Sequence, residues 1–184
     1  MKKQLIQQRQ YTTQYVSPLG PLLLSSDGEN ITGLWFTGQK YFGRTLGACP
    51  CEQELPVFDE ARHWLDLYFS GNEPPRQPPL AAQGSDFQKA VWRILCHVPY
   101  GRTTTYRKIA EELEAVTQRR VAAQAVGGAV GHNPISIFIP CHRVVGSNGS
   151  LTGYAGGVEK KRWLLELECA DTARLFIPDQ GTAL

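Results

Sequence analysis

Long apolar runs are missing from this sequence. No hydrophobic stretch approaches the length that spans a bilayer, and the polar start Met1-Lys2-Lys3-Gln4 leads into no apolar leader core. Neither membrane insertion nor export is expected, and a cytoplasmic, reducing compartment is. Cysteine is sparse and poorly placed for cross-linking: Cys49, Cys51, Cys96, Cys141 and Cys169 are odd in number and follow no framework spacing. Cys49-Pro50-Cys51, with His63 downstream, is spaced too tightly for the usual zinc site, so two loop thiols are expected there. Thr152-Gly153-Tyr154-Ala155-Gly156-Gly157 is glycine-rich but lacks the Gly-Lys-Ser/Thr of a phosphate-cradling loop. Internal repeats are absent, and a formal net charge of +2 announces no polyanionic partner by its size.

The distribution of that charge says more. Residues 1–83 hold 7 Lys/Arg and 8 Asp/Glu, a net of −1, whereas residues 84–163 hold 11 and 5, a net of +6. The basic half suits a polyanion, and it suits an ordinary solvated surface equally well. In the acidic half, Ser17-Pro18-Leu19-Gly20-Pro21 and Asp27-Gly28-Glu29-Asn30 are turn chemistry around Leu22–Leu24 and Ile31–Phe36, which predicts a hairpin or meander. Phe58, Ala61, Leu65, Tyr68 and Phe69 recur at helical spacing and predict a helix over Val57–Phe69, closed by Ser70-Gly71. Nothing in this half reads as catalytic. The proline-dense stretch 72–79 is a stiff connector and divides the chain into domains 1–79 and 80–184.

The second half opens on Ser85, a cap for a helix with the apolar face Phe87, Val91, Ile94, Leu95 and Val98. A second helix follows Thr103-Thr104, with Tyr106, Ile109, Ala110 and Leu113 on one side. A third spans Arg119–Val130 and is rich in Ala and Gly. The last two form a helix-turn-helix pattern. Small side chains let a backbone approach another surface, which is either a neighbouring helix or a narrow DNA groove. Ile135–Ile139 reads as a strand stopped by Pro140, and Cys141-His142 stands at its end, a thiol beside an imidazole able to lower its pKa. Asn148-Gly149 signals a hairpin, the wing of a winged helix. A last helix covers Val158–Glu168.

In this order and spacing, Pro99-Tyr100-Gly101-Arg102-Thr103-Thr104-Thr105-Tyr106, Ala125-Val126-Gly127-Gly128-Ala129, Asn133-Pro134, Pro140-Cys141-His142-Arg143-Val144, Gly153-Tyr154-Ala155-Gly156-Gly157 and Trp163-Leu164-Leu165 resemble the O6-alkylguanine-DNA alkyltransferases. These are also called methylated-DNA–protein-cysteine methyltransferases. The resemblance is strong over Ser85–Glu168 and weaker before it, mainly through Ser17-Pro18-Leu19-Gly20. It implies an α+β fold: an N-terminal ribonuclease-H-like α/β domain, then a helical winged helix-turn-helix domain. It also implies a DNA-repair reaction in which a guanine is extruded from duplex DNA and its O6-alkyl group moves irreversibly onto a cysteine of the protein itself.

By that resemblance Cys141 is the nucleophile, His142 the base acting through a water, and Glu168 the carboxylate orienting the imidazole. Asn133 ties the helix-turn-helix to the cysteine segment, and Tyr106 crowds the target phosphate and hydrogen-bonds the guanine. The carbonyls of Cys141 and Val144 meet the base's amino group, and Tyr154, Ala155 and Gly156 close the pocket. Arg143 braces the fold. DNA is met through the minor groove by Gln124, Ala125 and Gly128 of the recognition helix, with Arg119, Arg120 and Ser147 beside them. No metal, cofactor, membrane or obligatory protein partner is implied, and the protein is expected to act as a monomer on O6-alkylguanine, with O4-alkylthymine a further candidate substrate. Better-known members carry arginine where Gln124 stands, and the connection from Tyr106 to Gln124 is longer here. A non-catalytic damage sensor of the same fold would lack Cys141, and a winged-helix transcription factor would have no use for Pro-Cys-His-Arg.

Overall fold

The structure, a computed structural model, describes residues 9–178. Strands β1 (Tyr11–Ser17), β2 (Gly20–Ser26) and β3 (Ile31–Phe36) form an antiparallel meander, and β4 (Cys51–Glu52) adds in parallel to β1, giving the order β3-β2-β1-β4. The β1–β2 turn works as its residues dictate. The Ser17 hydroxyl accepts from Leu19 N at 3.1 Å, and Gly20 takes φ of 104°, a conformation glycine adopts without Cβ strain. At the second turn Asp27 Oδ1 accepts from Asn30 N at 2.8 Å and from Glu29 N at 3.1 Å.

All six residues of β3 are buried. Both its faces and its outer edge are therefore covered, and what covers the edge matters for function. Ile31 N donates to Pro79 O at 2.8 Å and Ala81 N to Ile31 O at 2.9 Å, so the end of the proline-rich connector runs along the edge. Further along, Leu34 N donates to Pro134 O and Ser136 N to Leu34 O, each at 2.9 Å. The sheet of the first half thus holds the segment that leads to Cys141.

Helix α1 (Pro56–Phe69) starts with proline in its first turn and buries Val57, Phe58, Ala61, Trp64, Leu65 and Tyr68. Helix α2 (Asp86–Cys96) begins with the expected Ser85 cap, here a full capping box in which Gln88 answers the Ser85 backbone. Its buried face is Val91, Trp92 and Leu95; Phe87, expected inside, is 38% exposed. Trp92 fixes α2 to helix α4 (Ala123–Gly131) by donating to Ala129 O at 2.9 Å. Between them, β5 (Thr104–Thr105) leads into α3 (Tyr106–Thr117), capped by Thr105. Arg119 and Arg120 lie in the α3–α4 connection and not at the start of the last helix of this pair, because Gln118 takes the left-handed conformation at φ 54° and ends α3.

Two further expectations are corrected. Ile135–Ile139 is not a strand: Ile135 makes a single bridge to Leu34, and the chain then turns at Ile137, whose φ of 69° is rare for a β-branched residue. The turn is fixed from inside by Phe138 N donating to Ser136 O at 2.8 Å, and by Gln77 of the connector donating to Phe138 O at 2.8 Å. Nor do the arms of the Asn148-Gly149 turn form a ladder with each other. Gly146 N does donate to Ser150 O at 2.8 Å, but β6 (Val144–Val145) pairs with β5, and Ser150 bridges to Phe176. Helix α5 (Val158–Leu167) closes the structure. One apolar core, from Leu24 and Phe36 through Phe58 and Leu95 to Phe138 and Leu164, runs through both halves. Among the described residues no helix is long and apolar enough to cross a membrane.

Candidate active site

Pro140 ends the turn and Cys141–Arg143 forms a single 3-10 turn, all three residues buried. Cys141 is the one buried cysteine among the five. Its sulfur receives Asn133 Nδ2 at 3.0 Å; the same amide nitrogen donates to Ile139 O at 2.8 Å, and Asn133 Oδ1 accepts from Ile135 N at 2.9 Å. Asn133 stands just beyond α4. Its side chain therefore spans from the end of α4 to the cysteine turn and touches the thiol as well.

The next two residues converge on one carboxylate. Glu168, directly after α5, is 2% exposed and collects five donors. His142 Nε2 reaches Oε1 at 2.7 Å, while Arg143 reaches Oε2 through Nε at 2.8 Å and Oε1 through Nη2 at 3.0 Å. Tyr68 Oη donates to Oε1 at 2.7 Å, and Gly101 N to Oε2 at 3.1 Å. Burial disfavours the charge of Glu168, but the bonds from His142 and Arg143 outweigh it and hold the carboxyl far below the usual carboxylate range. Arg143 also donates to Val98 O at 2.6 Å and lies over the Tyr100 ring at 5.7 Å, which is the bracing role expected of it. The Pro99-Tyr100-Gly101 turn has its reason here. Gly101 has φ of 68°, and a Cβ there would stand 2.6 Å from Glu168 O.

Burial pushes the Cys141 thiol up, against the Asn133 hydrogen bond and the Lys161 ammonium, which pull it down. Burial likewise pushes the His142 imidazole below its ordinary value, with Glu168 opposing. The expectation of a thiol lowered by its histidine is thus corrected: the resting pair is a neutral thiol and a neutral imidazole. Nε2 faces the carboxylate, so Nδ1 is the ring nitrogen free to take a proton, and it has no protein partner among the described residues.

Tyr106 joins the sulfur to the surface. Burial, and after it the charge of the neighbouring cysteine, push its phenol up to about 12, and its hydroxyl donates to Thr152 O at 3.0 Å. Its ring also lines an open cleft of about 840 Å³ together with Gln124, Gly127, Gly128, Ser147, Thr152 and Gly153. Gln124, Ser147, Ala125, Arg119 and Arg120 are exposed, and Gly128 is half-buried. The cleft gathers Tyr106, Gln124, Gly128 and Ser147. Arg120, with Arg107 and Glu114, lines a neighbouring hollow, and Arg119 and Ala125 line another beside Phe87. Val144 is buried in β6 opposite Thr104. Tyr154 is buried with its ring centroid 6.4 Å from that of His142. Ala155 O accepts from Lys40 N at 3.1 Å, and Gly156 is small because a Cβ there would stand 2.8 Å from the Tyr154 ring.

Comparison with known proteins decides the family. The family described as 6-O-methylguanine DNA methyltransferase matches twice, its ribonuclease-like domain over residues 10–81 and its DNA binding domain over residues 86–170. The chain belongs to this family. A methylated-DNA–protein-cysteine methyltransferase of Haemophilus influenzae is 44% identical over 159 residues, 86% of each chain. One from Mycobacterium tuberculosis is 43% identical over 152 residues, 83% of this chain and 88% of the other. A crystal structure of Mycobacterium tuberculosis O6-methylguanine methyltransferase aligns with a TM-score of 0.74 at 40% identity, covering 93% of this chain and 96% of that one. The same enzyme in complex with DNA gives a TM-score of 0.74 at 40% identity, covering 91% and 94%.

Two residues of this methyltransferase site were not singled out from the sequence. Tyr68 showed only as a core position of α1. Lys161 lies within the expected last helix and carried no role of its own, yet it is fully buried, its ammonium donates to Thr152 O at 2.6 Å, and burial lowers it to about 8 against the opposing charge of Cys141. A signal for it existed: Lys161, Leu164, Leu165 and Glu168 share one face of α5 by spacing, and all four are buried.

Proposed function

We propose that Cys141 is the acceptor of the alkyl group in this methyltransferase and that the cleft beside Tyr106 receives duplex DNA. The observation that carries the reading is the placement of Cys141, the one buried thiol, held by Asn133 at 3.0 Å and adjoining a histidine bound to a buried carboxylate at 2.7 Å. In the reaction the thiol proton passes through a water to His142 Nδ1, and the sulfur attacks the alkyl carbon. A carbon–sulfur bond forms, the carbon–O6 bond breaks, and its electron pair returns to the guanine, which regains a proton from solvent. Tyr106 leaves Thr152 O and donates to the base. The thioether is stable, so each molecule acts once.

DNA enters through the minor groove on the exposed side of α4. A Cβ on Gly128 would meet nothing within 4 Å, and one on Gly127 only the Tyr106 ring at 3.9 Å. Internal packing therefore does not demand these glycines, and a close external surface does. This open space supports the DNA groove over a neighbouring helix as the surface that the small residues of α4 meet. Gln124 wedges into the stack as an amide, Arg119 and Arg120 meet phosphates, and the protein acts as a monomer in a reducing compartment.

Intact mass after incubation with methylated duplex DNA tests the chemistry. One methyl should be gained at Cys141, and Cys141→Ala should gain none while still binding DNA. A gain that survives this substitution would assign the acceptor elsewhere; no gain in the natural sequence would favour a sensor.

A further inference from the structure

Tyr68 is fully buried at the C-terminal end of α1, in the half of the chain that carries no other group of the site. Its ring stacks on Trp64 at 5.2 Å and 11° and meets Tyr100 edge-on at 6.1 Å and 84°. Packing of that kind asks for an aromatic ring and would be met by phenylalanine. The hydroxyl is the unexplained part, and it ends 2.7 Å from Glu168 Oε1 and 3.3 Å from His142 Nε2. With Nε2 itself 2.7 Å from Oε1, the three atoms form a triangle. Two hydrogens serve them, one on the phenol and one on the imidazole, and the carboxylate can only accept. Both hydrogens must point to Oε1. A phenol donating to Nε2 instead would leave a nitrogen lone pair facing a carboxylate oxygen.

We propose that Tyr68 is a positioning residue for alkyl transfer, reaching from the N-terminal domain to hold the His142–Glu168 pair with its proton on Nε2 and its free lone pair on Nδ1. The inference rests on the reading of Cys141 as acceptor and His142 as its base. The phenol does two things. It holds Oε1 where that oxygen receives the Nε2 hydrogen, which disfavours the tautomer carrying the hydrogen on Nδ1, and it takes part of the Oε1 charge that His142 would otherwise share with Arg143 Nη2 only. Removing it concentrates that charge on the imidazole and favours the imidazolium, which cannot act as a base. The other groups facing the ring remain in place: Cys141 and Arg143 on its own turn, Lys161 and Glu168 of α5 and its end, and Tyr154 of the pocket loop. Arg143 and Lys161 oppose a positive imidazole; only Glu168 favours it.

The test is the single-turnover rate of methyl gain from methylated duplex DNA, read by intact mass across pH, for the natural sequence and Tyr68→Phe. The acid limb of the profile should move to higher pH by about one unit, so that the rate at a pH on that limb falls roughly tenfold. Affinity for unmodified duplex should stay the same. A rate lowered equally at every pH, with the limb unmoved, would show a packing role only and overturn the proposal, as would a profile equal to that of the natural sequence. If Tyr68→Phe does not fold, difluorotyrosine at position 68 keeps the shape and donates more strongly; it should move the limb to lower pH, and an unmoved limb overturns the proposal. Failure of the natural sequence to gain a methyl at all would instead strike the Cys141 reading beneath it.

Discussion

Lys161 is a costly residue of the site, a fully buried ammonium whose hydrogen-bond partner among the described residues is one carbonyl, Thr152 O. The cost leaves a signature in pH. Its amine is lowered from 10.5 to about 8 in the folded protein, so between those values the unfolded chain holds a proton that the folded one has released. Stability tied to this group therefore rises with pH through that window and is flat below it. Urea unfolding of the natural sequence and of Lys161→Met should show the natural sequence gaining on the variant between pH 8 and 10.5. The full gain is about 3 kcal/mol. A constant difference over the window would mean that Lys161 is not held as a desolvated ammonium. With Cys141 as the proposed acceptor there is a functional reason for tolerating it, since a cation beside the sulfur favours its thiolate.

Helix α4 separates what the fold needs from what a partner needs. Its inner face, Val126, Ala129 and Val130, is buried, and Gly128 faces open space. Gly128→Leu should leave the fold as stable as before, or up to about 1 kcal/mol more stable from helix propensity. It should also weaken binding to duplex DNA, because the added side chain occupies the closest approach to the groove. Thermal unfolding and a binding titration on the same variant check both; a loss of stability with unchanged binding would return Gly128 to internal packing. Gln124→Ala is expected to slow repair of duplex DNA far more than of the free alkylated base, and equal losses would remove the wedge role.

These elements also show what the sequence makes legible. Helices α1, α2 and α3 follow from periodicity, and the start of α2 from Ser85, because apolar stripes and caps are local signals; the cap of α3 is Thr105, one residue beyond the Thr103-Thr104 expected. Cys141 beside His142 is legible from the residues themselves and the roles of Asn133 and Arg143 only from resemblance; what the structure adds is their hydrogen bonds, to the Cys141 sulfur and to Glu168. Ile135–Ile139 misled because a buried, β-branched run reads the same whether it pairs as a strand or turns back. What decides is the single bridge to Leu34 and the inversion at Ile137, both set by tertiary contacts. Tyr68 was invisible as a functional group for the same reason: its hydroxyl partner lies 100 residues away.

At the scale of the molecule, the halves share one core and one sheet edge, while their charges differ, −1 over residues 1–83 against +6 over residues 84–163. The edge contacts from Leu34 to Pro134 and Ser136, and the Tyr68–Glu168 bond, put the cysteine turn under the control of the acidic half. The basic half presents the partner surface. Arg119 and Arg120 are exposed on the α3–α4 connection and make no ion pair among the described residues, so they are free to meet phosphates. Binding to duplex DNA should then weaken linearly on a plot of log affinity against log salt, since each neutralised phosphate releases counterions, with a slope of about −0.9 per contact. Arg119→Ala and Arg120→Ala should each make that slope shallower by about one contact. Duplexes of unrelated sequence should bind alike, because the minor groove offers a degenerate pattern of donors and acceptors. Anisotropy titrations over a series of salt concentrations measure all three. A slope unchanged in both variants would place the phosphate contacts elsewhere on the basic half, and a strong preference among undamaged sequences would argue for a major-groove reader and against insertion of α4 into the minor groove.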